Sequence, residues 1–201
     1  DKLMPFLHLP VQSGSNNILK AMNRKHTRQD YFKIIEKLRK ARPDIGLSSD
    51  FIVGFPGEEQ QDFDDTIDLV KQIEFTQCYS FKYSPRNGTP SAEYQSQVDE
   101  KIKDERLAIL QSLLTQQQIN FNLKFENSTQ EVLFEKEAPK SRKNSTENND
   151  DKIQLWGKSK WLQSVVVEVA NENLSSQLIN KIAKVKIQKS RPSSLVGELV
   201  Q

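Results

Sequence analysis

The chain is poor in the residues that would commit it to several kinds of chemistry. Its 201 residues include a single cysteine, Cys78, which excludes an internal disulfide and any multi-cysteine metal or iron–sulfur site built from this chain alone. A lone cysteine inside an apolar stretch reads as a small core residue. Long hydrophobic runs are missing too. Nothing approaches the roughly 20 apolar residues of a membrane-spanning helix, and no signal peptide is visible. A cytoplasmic protein is the default expectation. The formal net charge is only +2, so a nucleic-acid role has to rest on local patches. With 35% hydrophobic and 28% charged residues, the composition suits a globular protein of one or two domains with a lean core. The chain opens Asp-Lys-Leu rather than with Met, and a strand candidate follows almost at once, which reads as a piece of something longer.

The most informative stretch is Ser49-Asp50-Phe51-Ile52-Val53-Gly54-Phe55-Pro56-Gly57-Glu58-Glu59. It reads as a strand covered on both faces, running into a glycine-proline-glycine turn and an acidic helix start. Gly54 and Gly57 leave backbone without Cβ atoms, so a flat ligand could lie against it. Pro56 fixes the turn, and Glu58 and Glu59 suit the positive end of the next helix. In α/β folds, turns at the carboxyl ends of parallel strands hold ligands. A purely structural strand-to-helix turn is the competing reading.

Either side of this turn the pattern repeats. Residues 3–11 form a strand candidate with His8 at its middle, followed by a polar loop at 12–17 and a short helix near 18–23. Thr27 and Asp30 resemble a capping box, and Tyr31, Ile34, Ile35, Leu38 and Ala41 recur at helical spacing. A helix over 59–74 carries Phe63, Ile67, Val70 and Ile73 on one face, and a strand over 77–83 leads into the loop 84–90. Three strand-loop-helix passages in series predict a parallel sheet with covering helices. A long helix over 99–126 follows, with Asp99 as N-cap and Ile102, Ile109, Leu110, Leu113, Ile119 and Phe121 as its apolar stripe. Beyond it, strand candidates at 130–134, 164–169, 183–188 and 194–200 suggest a small β-barrel, with a polar loop at 135–152.

Charge is unevenly spread. Residues 20–42 hold Lys20, Arg24, Lys25, Arg28, Lys33, Lys37, Arg39, Lys40 and Arg42 against only Asp30 and Glu36. Lys158, Lys160 and Trp161 mix cations with an aromatic ring, which suits phosphate contacts plus base stacking. Solvated surface lysines are the plain alternative. His8 reads as a satisfied interior histidine, His26 as a bystander before a helix cap, and Arg86 as either a ligand contact or a turn residue.

Three segments taken jointly are specific: His8-Leu9-Pro10-Val11-Gln12-Ser13-Gly14-Ser15, the turn at 50–58, and Tyr83-Ser84-Pro85-Arg86-Asn87-Gly88-Thr89-Pro90. In this order and spacing they resemble the radical S-adenosylmethionine methylthiotransferases. The resemblance is greatest to the branch that thiomethylates isopentenyladenosine beside the tRNA anticodon. The C-terminal part resembles the TRAM domain, a small RNA-binding β-barrel, although Gly157-Lys158-Ser159-Lys160-Trp161 stands where the family has a Gly-Arg-Thr-type signature.

The resemblance implies an α/β fold: the C-terminal half of a partial (βα)6 barrel at 1–98, a connecting helix at 99–126, and an OB-like TRAM barrel at 127–201. It also implies S-adenosylmethionine as cofactor, with Gly54 and Gly57 against the adenine and backbone groups of Ile52 and Val53 near it. Ser13 and Asp50 would reach ribose or methionine atoms. Their alternatives are a turn hydroxyl and a buried structural hydrogen bond. Arg86, Lys158, Lys160 and Trp161 would contact the anticodon arm of tRNA. The family's two four-iron four-sulfur clusters, one of them on a CxxxCxxC loop, would belong to a missing N-terminal part of the same enzyme, because thiolates hold such clusters. This chain alone is then expected to be inactive. Two other functions compete: a non-catalytic RNA-binding module, and a related methylthiotransferase acting on a ribosomal protein or another modified adenosine.

Overall fold

The computed structural model describes residues 4–137, 153–170 and 172–200. Most of the polar loop expected at 135–152 lies outside the described residues; 135–137 close a strand. The chain divides into two compact units, one over Pro5–Gln117 and one from Gln118 onward.

The first unit is α/β. Three strands, β1 (Phe6–His8), β2 (Gly46–Val53) and β3 (Gln77–Lys82), pair in parallel in the order β1-β2-β3. They alternate with α1 (Asn16–Ala21), α2 (Arg28–Ala41) and α3 (Gln60–Ile73). The starts of α1 and α2 were legible as sequence. Ser15 Oγ accepts from the amides of Asn17 and Ile18, and Thr27 and Asp30 form a reciprocal capping box. β1 is shorter than the expected 3–11, and prolines Pro5 and Pro10 bracket it.

β2 is covered on one face rather than on both. Leu47, Phe51 and Val53 are buried beneath Tyr31 and Ile35 of α2, and Phe63, Leu69, Val70 and Ile73 of α3. Helix α4 (Glu100–Leu123) adds Leu110 and Leu114 to the same cluster. On the opposite face Asp50 and Ile52 are half-buried, and Tyr79 and Phe81 of β3 are 51% and 53% exposed. Helices α2, α3 and α4 pack on one side, so alternate residues of each strand face the other, where Ile18 of α1 and Met22 meet Ile52 at one end.

The inward stripe of α4 also differs from the expected one. Ile102 and Ile109 are exposed. Lys103, Arg106, Leu110 and Leu114 are buried, at the three- and four-residue spacing of one helix face, and Asn122 is buried further along. An apolar-only reading put the stripe out of phase because two of its members are cations. Ile34 of α2 is likewise exposed.

The second unit is a closed barrel. β4 (Thr129–Glu137), β5 (Ile153–Ser159), β6 (Ser164–Val169), β7 (Ile182–Arg191) and β8 (Ser194–Leu199) close in the order β4-β5-β6-β8-β7. β6 and β8 pair in parallel and every other pair is antiparallel. Val132, Phe134, Leu155, Val165, Val167, Val185, Ile187 and Leu195 fill the interior with no solvent exposure. Strict alternation sends the intervening residues outward. Strand β5 and helix α5 (Glu172–Leu178) were not foreseen from sequence. The β-branched content of β5 is only Ile153, which left its period of two as the one signal.

Candidate functional site

The turn after β2 is held from behind by α4. Gly54 has φ +71°, and a Cβ there would sit 2.3 Å from Lys103 Cγ. The glycine is required by that close approach as well as by its backbone angle. The Gly54 amide donates to Glu58 Oε1 at 2.8 Å. Arg106 Nη1 donates to the same oxygen at 2.8 Å and to the Glu58 carbonyl at 3.0 Å. The Glu58 and Arg106 side chains are only 2% and 8% exposed, so this is a buried ion pair. Burial raises the Glu58 pKa above its ordinary value, although the Gly54 amide and Arg106 oppose the shift. Lys103, nearly fully buried, pairs with Glu100 at 2.7 Å and lies 5.7 Å from the centre of the Tyr83 ring.

Gly57, with φ +83°, donates its amide to the Ser96 carbonyl at 2.8 Å. Other backbone groups of the turn are also engaged. The Ile52 amide donates to the Gln12 carbonyl at 2.9 Å, and the Val53 carbonyl accepts from Tyr83 at 2.8 Å. What Ile52 leaves available is its side chain, on the open face beside Phe81. The Val53 side chain is buried on the helix-covered face.

That open face carries a polar cluster. His8 Nδ1 lies 2.9 Å from Ser48 Oγ, and His8 Nε2 lies 3.5 Å from Asp50 Oδ2. The side chains of His8 and Asp50 remain 40% and 30% exposed. Tyr79 meets the His8 ring edge-on at 6.3 Å. His8 is therefore half-open to solvent on the sheet face, not the enclosed histidine that the apolar surroundings of 3–11 implied.

The loop joining β1 to α1 is pinned to α3. Ser13 is buried; its Oγ lies 3.3 Å from Thr66 Oγ1 and accepts from the Ser15 amide at 3.1 Å. Its hydroxyl thus serves the turn. Ser15 Oγ donates to Asp62 Oδ1 at 2.6 Å. Gln12 is 8% exposed and has φ +77°, a strained state for a residue other than glycine. Its amide donates to the Asp50 carbonyl, which locks the loop onto β2 immediately beside the polar cluster. Sequence reasoning missed Gln12, Lys103 and Arg106. The two cations were visible only as members of the α4 stripe.

Arg86 lines a cavity of about 1230 Å³ at the carboxyl ends of β2 and β3, together with Lys20, Arg24, Phe81, Tyr83 and Tyr94. In the barrel the three expected RNA contacts separate. Lys158 donates to Ser164 Oγ at 2.9 Å, and Lys160 pairs with Glu131 at 2.6 Å on the surface. Trp161 packs against Phe125 with ring centres 4.9 Å apart, as part of the barrel's apolar cluster. The exposed tryptophan is Trp156, with Lys136 Nζ 5.4 Å from its ring centre.

No helix among the described residues is long and apolar enough to cross a membrane. No group of three or more His, Cys, Asp or Glu among them is arranged to hold a metal ion. Cys78 packs against the core of the sheet unit, and burial pushes its thiol pKa up, away from the thiolate a cluster needs.

Residues 2–70, which hold β1, β2 and most of α3, match the Radical SAM superfamily. At the level of individual proteins, the chain is 55% identical over 199 residues to the tRNA-2-methylthio-N(6)-dimethylallyladenosine synthases of Rickettsia conorii and Rickettsia rickettsii. The protein of the same name from Rickettsia bellii is 55% identical over 198 residues. These alignments cover 98–99% of this chain and 41% of each relative. The chain thus spans about two fifths of the length of the curated relatives it matches. The resemblance to the radical SAM methylthiotransferases read from the motifs is borne out.

Proposed function

We propose that this chain is part of a radical SAM tRNA methylthiotransferase that adds a methylthio group to isopentenyladenosine next to the anticodon. The observation that carries the proposal is the 55% identity sustained over 199 residues, through the sheet unit and the barrel alike. S-adenosylmethionine and an iron–sulfur cluster, bound in the complete protein, would supply the radical and the methyl group. The donor set of this chain does not fit a cluster, so cluster ligation falls to residues outside it.

The residues present do fit S-adenosylmethionine. Asp50, held by His8, offers a carboxylate on the open sheet face to ribose or methionine polar atoms, and Ile52 offers an apolar wall to the adenine. The Gly54–Gly57 turn borders that face, and Glu58, Lys103 and Arg106 fix its position without touching a ligand. Ser13 supports the turn through Thr66. The sheet unit is read as the later strands of a partial (βα)6 barrel, and the second unit as a TRAM domain. On the barrel, Lys158, Lys160 and the exposed Trp156 suit contact with the anticodon arm, while Trp161 holds the fold beneath them. A cytoplasmic location follows from the tRNA substrate.

The test is to isolate the complete protein, reconstitute its clusters anaerobically, and supply isopentenyladenosine-containing tRNA, S-adenosylmethionine and a reductant. Mass spectrometry of the digested tRNA should show the methylthio nucleoside. Persistent absence of that product, with cluster occupancy verified, would refute the proposal.

A further inference from the structure

The loop after β3 holds the chain's single Asn-Gly pair, Asn87-Gly88. The Thr89 amide donates to the Arg86 carbonyl at 3.1 Å, so Asn87 and Gly88 are the central residues of a tight turn. Gly88 has φ +81° while the φ of Asn87 is not positive, which is the type II arrangement. The turn stands clear of the fold. Both residues are exposed, and a Cβ built on Gly88 would meet nothing within 4 Å. Thr89 ties the turn through its amide and through its hydroxyl, which donates to the same Arg86 carbonyl at 2.7 Å. Neither the Asn87 side chain nor the Gly88 amide is engaged in a hydrogen bond among the described residues.

Other asparagines are held. Asn122 is buried; its amide donates to the carbonyls of Arg191 and Pro192 at 3.2 Å and accepts from Gln163 at 2.9 Å. Asn127 is followed by Ser128, whose amide donates to the Phe125 carbonyl at 3.1 Å.

An asparagine can react with its own backbone. The amide nitrogen of the next residue attacks Cγ, a new N–Cγ bond forms, and the Cγ–Nδ2 bond breaks. Ammonia leaves with the proton that the attacking nitrogen gives up. Water then opens the five-membered imide. Breaking the new Cγ–N bond leaves an aspartate, and breaking the original C–N bond leaves an isoaspartate whose backbone runs through Cγ. Attack requires the Asn87–Gly88 peptide to swing onto its own side chain, and a following residue without a Cβ leaves that rotation unobstructed. An exposed turn with few internal bonds opens at little free energy.

We propose that Asn87 is a site of spontaneous deamidation, which sets a carboxylate beside Arg86 as the protein ages. Arg86 lines the large cavity at the strand ends with Lys20 and Arg24, and none of the lining residues is a carboxylate. A negative charge at the adjoining position lowers the positive potential of that rim. The isoaspartate form also lengthens the backbone of the turn, which breaks the spacing by which Thr89 reaches the Arg86 carbonyl. The inference goes beyond the tRNA reading and does not depend on it, because the reaction needs only water and the chain itself.

The experiment holds the complete protein at mildly alkaline pH and physiological temperature beside a free peptide of residues 84–90. Mass spectrometry of timed digests follows the amide-to-acid change at each asparagine, and an isoaspartyl carboxyl methyltransferase counts the isoaspartate. Asn87 should convert within about tenfold of the rate in the free peptide and at least about tenfold faster than Asn122 or Asn127. Asn87→Gln, whose ring closure would need six members, should hold acid at that position to background. Gly88→Ala should slow the conversion by about tenfold, since its Cβ obstructs the attack. A folded protein that lags the peptide by more than about tenfold would show that the turn protects its asparagine, and would overturn the inference. Conversion at Asn122 and Asn127 as fast as at Asn87 would overturn it too.

Discussion

The sheet unit and the barrel unit solve the same problem, burying β-strands, with opposite outcomes. The barrel closes on itself, so every strand has two neighbours and no edge remains. Among the described residues the sheet has three strands, with β1 and β3 at its edges, and a face on which Tyr79 and Phe81 lie more than half exposed. The closed unit fills its interior with apolar residues and leaves Trp156, Leu133 and Ile182 exposed among the charges of its outer surface. The open unit spends buried charge on shaping a turn and leaves its polar cluster accessible. An incomplete face is a poor device for stability and a good one for ligands.

The sharpest way to break this contrast is to separate the units. Residues 118–201 expressed alone should give a monomer with a cooperative melt, whereas residues 5–117 should aggregate or melt broadly, since the edge strands and the exposed rings of Tyr79 and Phe81 stay uncovered. Size-exclusion chromatography and circular dichroism check both pieces. A reversible, monomeric melt of the sheet piece would remove the distinction.

Next in size is the clamp behind the turn. Arg106→Ala strands the Glu58 carboxylate in a buried site and should cost the sheet unit about 3–5 kcal/mol. Both tryptophans belong to the barrel and all four tyrosines to the sheet unit, so the two can be followed separately in one chain. Tyrosine near-ultraviolet signals should shift to lower urea in the variant while tryptophan fluorescence stays in place. A joint shift would mean that the clamp supports the barrel too.

The two tryptophans sharpen the contrast within the barrel. Trp161→Ala removes a ring packed on Phe125 and should cost roughly 2–4 kcal/mol of barrel stability. Trp156→Ala should leave stability within about 0.5 kcal/mol and weaken RNA binding by about tenfold, as lost stacking does. Equal melting shifts for the two variants would contradict the assignment of one to the core and one to the surface.

The smallest effect is on pH dependence, and its sign differs between Glu58 and two carboxylates of the barrel. In the barrel, hydrogen bonds from Ser190 hold the Glu126 pKa below 4.5, and the Lys160 ion pair does the same for Glu131. Stability from these groups is present above pH 4.5 and is lost as the pH falls through their lowered values. Glu58 is raised above 4.5 by burial, so its contribution is full below 4.5 and declines as the pH rises through its raised value. Acidifying toward pH 4.5 should therefore relieve the sheet unit at Glu58. Glu58→Gln should flatten that slope in the tyrosine signal, and Glu126→Gln should flatten the opposite slope in the tryptophan signal. An unchanged slope in either signal after its substitution would contradict the assignment.

Much of this architecture was legible in the chain. The Thr27–Asp30 capping box, the glycine-proline-glycine turn after β2 and the strand over Ser164–Val169 all stand where local chemistry put them. What escaped depends on distant partners. Lys103 and Arg106 carry no signal in the sequence because nothing local announces that Gly54 and Glu58 await them. Trp161 read as a stacking surface and Trp156 drew no attention, because which of two tryptophans five residues apart faces inward depends on a strand, β5, that the sequence scarcely marks. His8 looked enclosed because its neighbours are apolar, yet strand alternation turns it to the open face.

The central claim is that Asp50 on the open sheet face serves the cofactor and Trp156 on the barrel surface serves the RNA. It is tested most directly by measuring both affinities on the complete protein carrying either Asp50→Ala or Trp156→Ala. The account requires a crossed result: S-adenosylmethionine binding weakened about tenfold or more by the first change with tRNA binding kept, and the reverse for the second. Loss of both ligands together in either variant, or of neither in both, would contradict it.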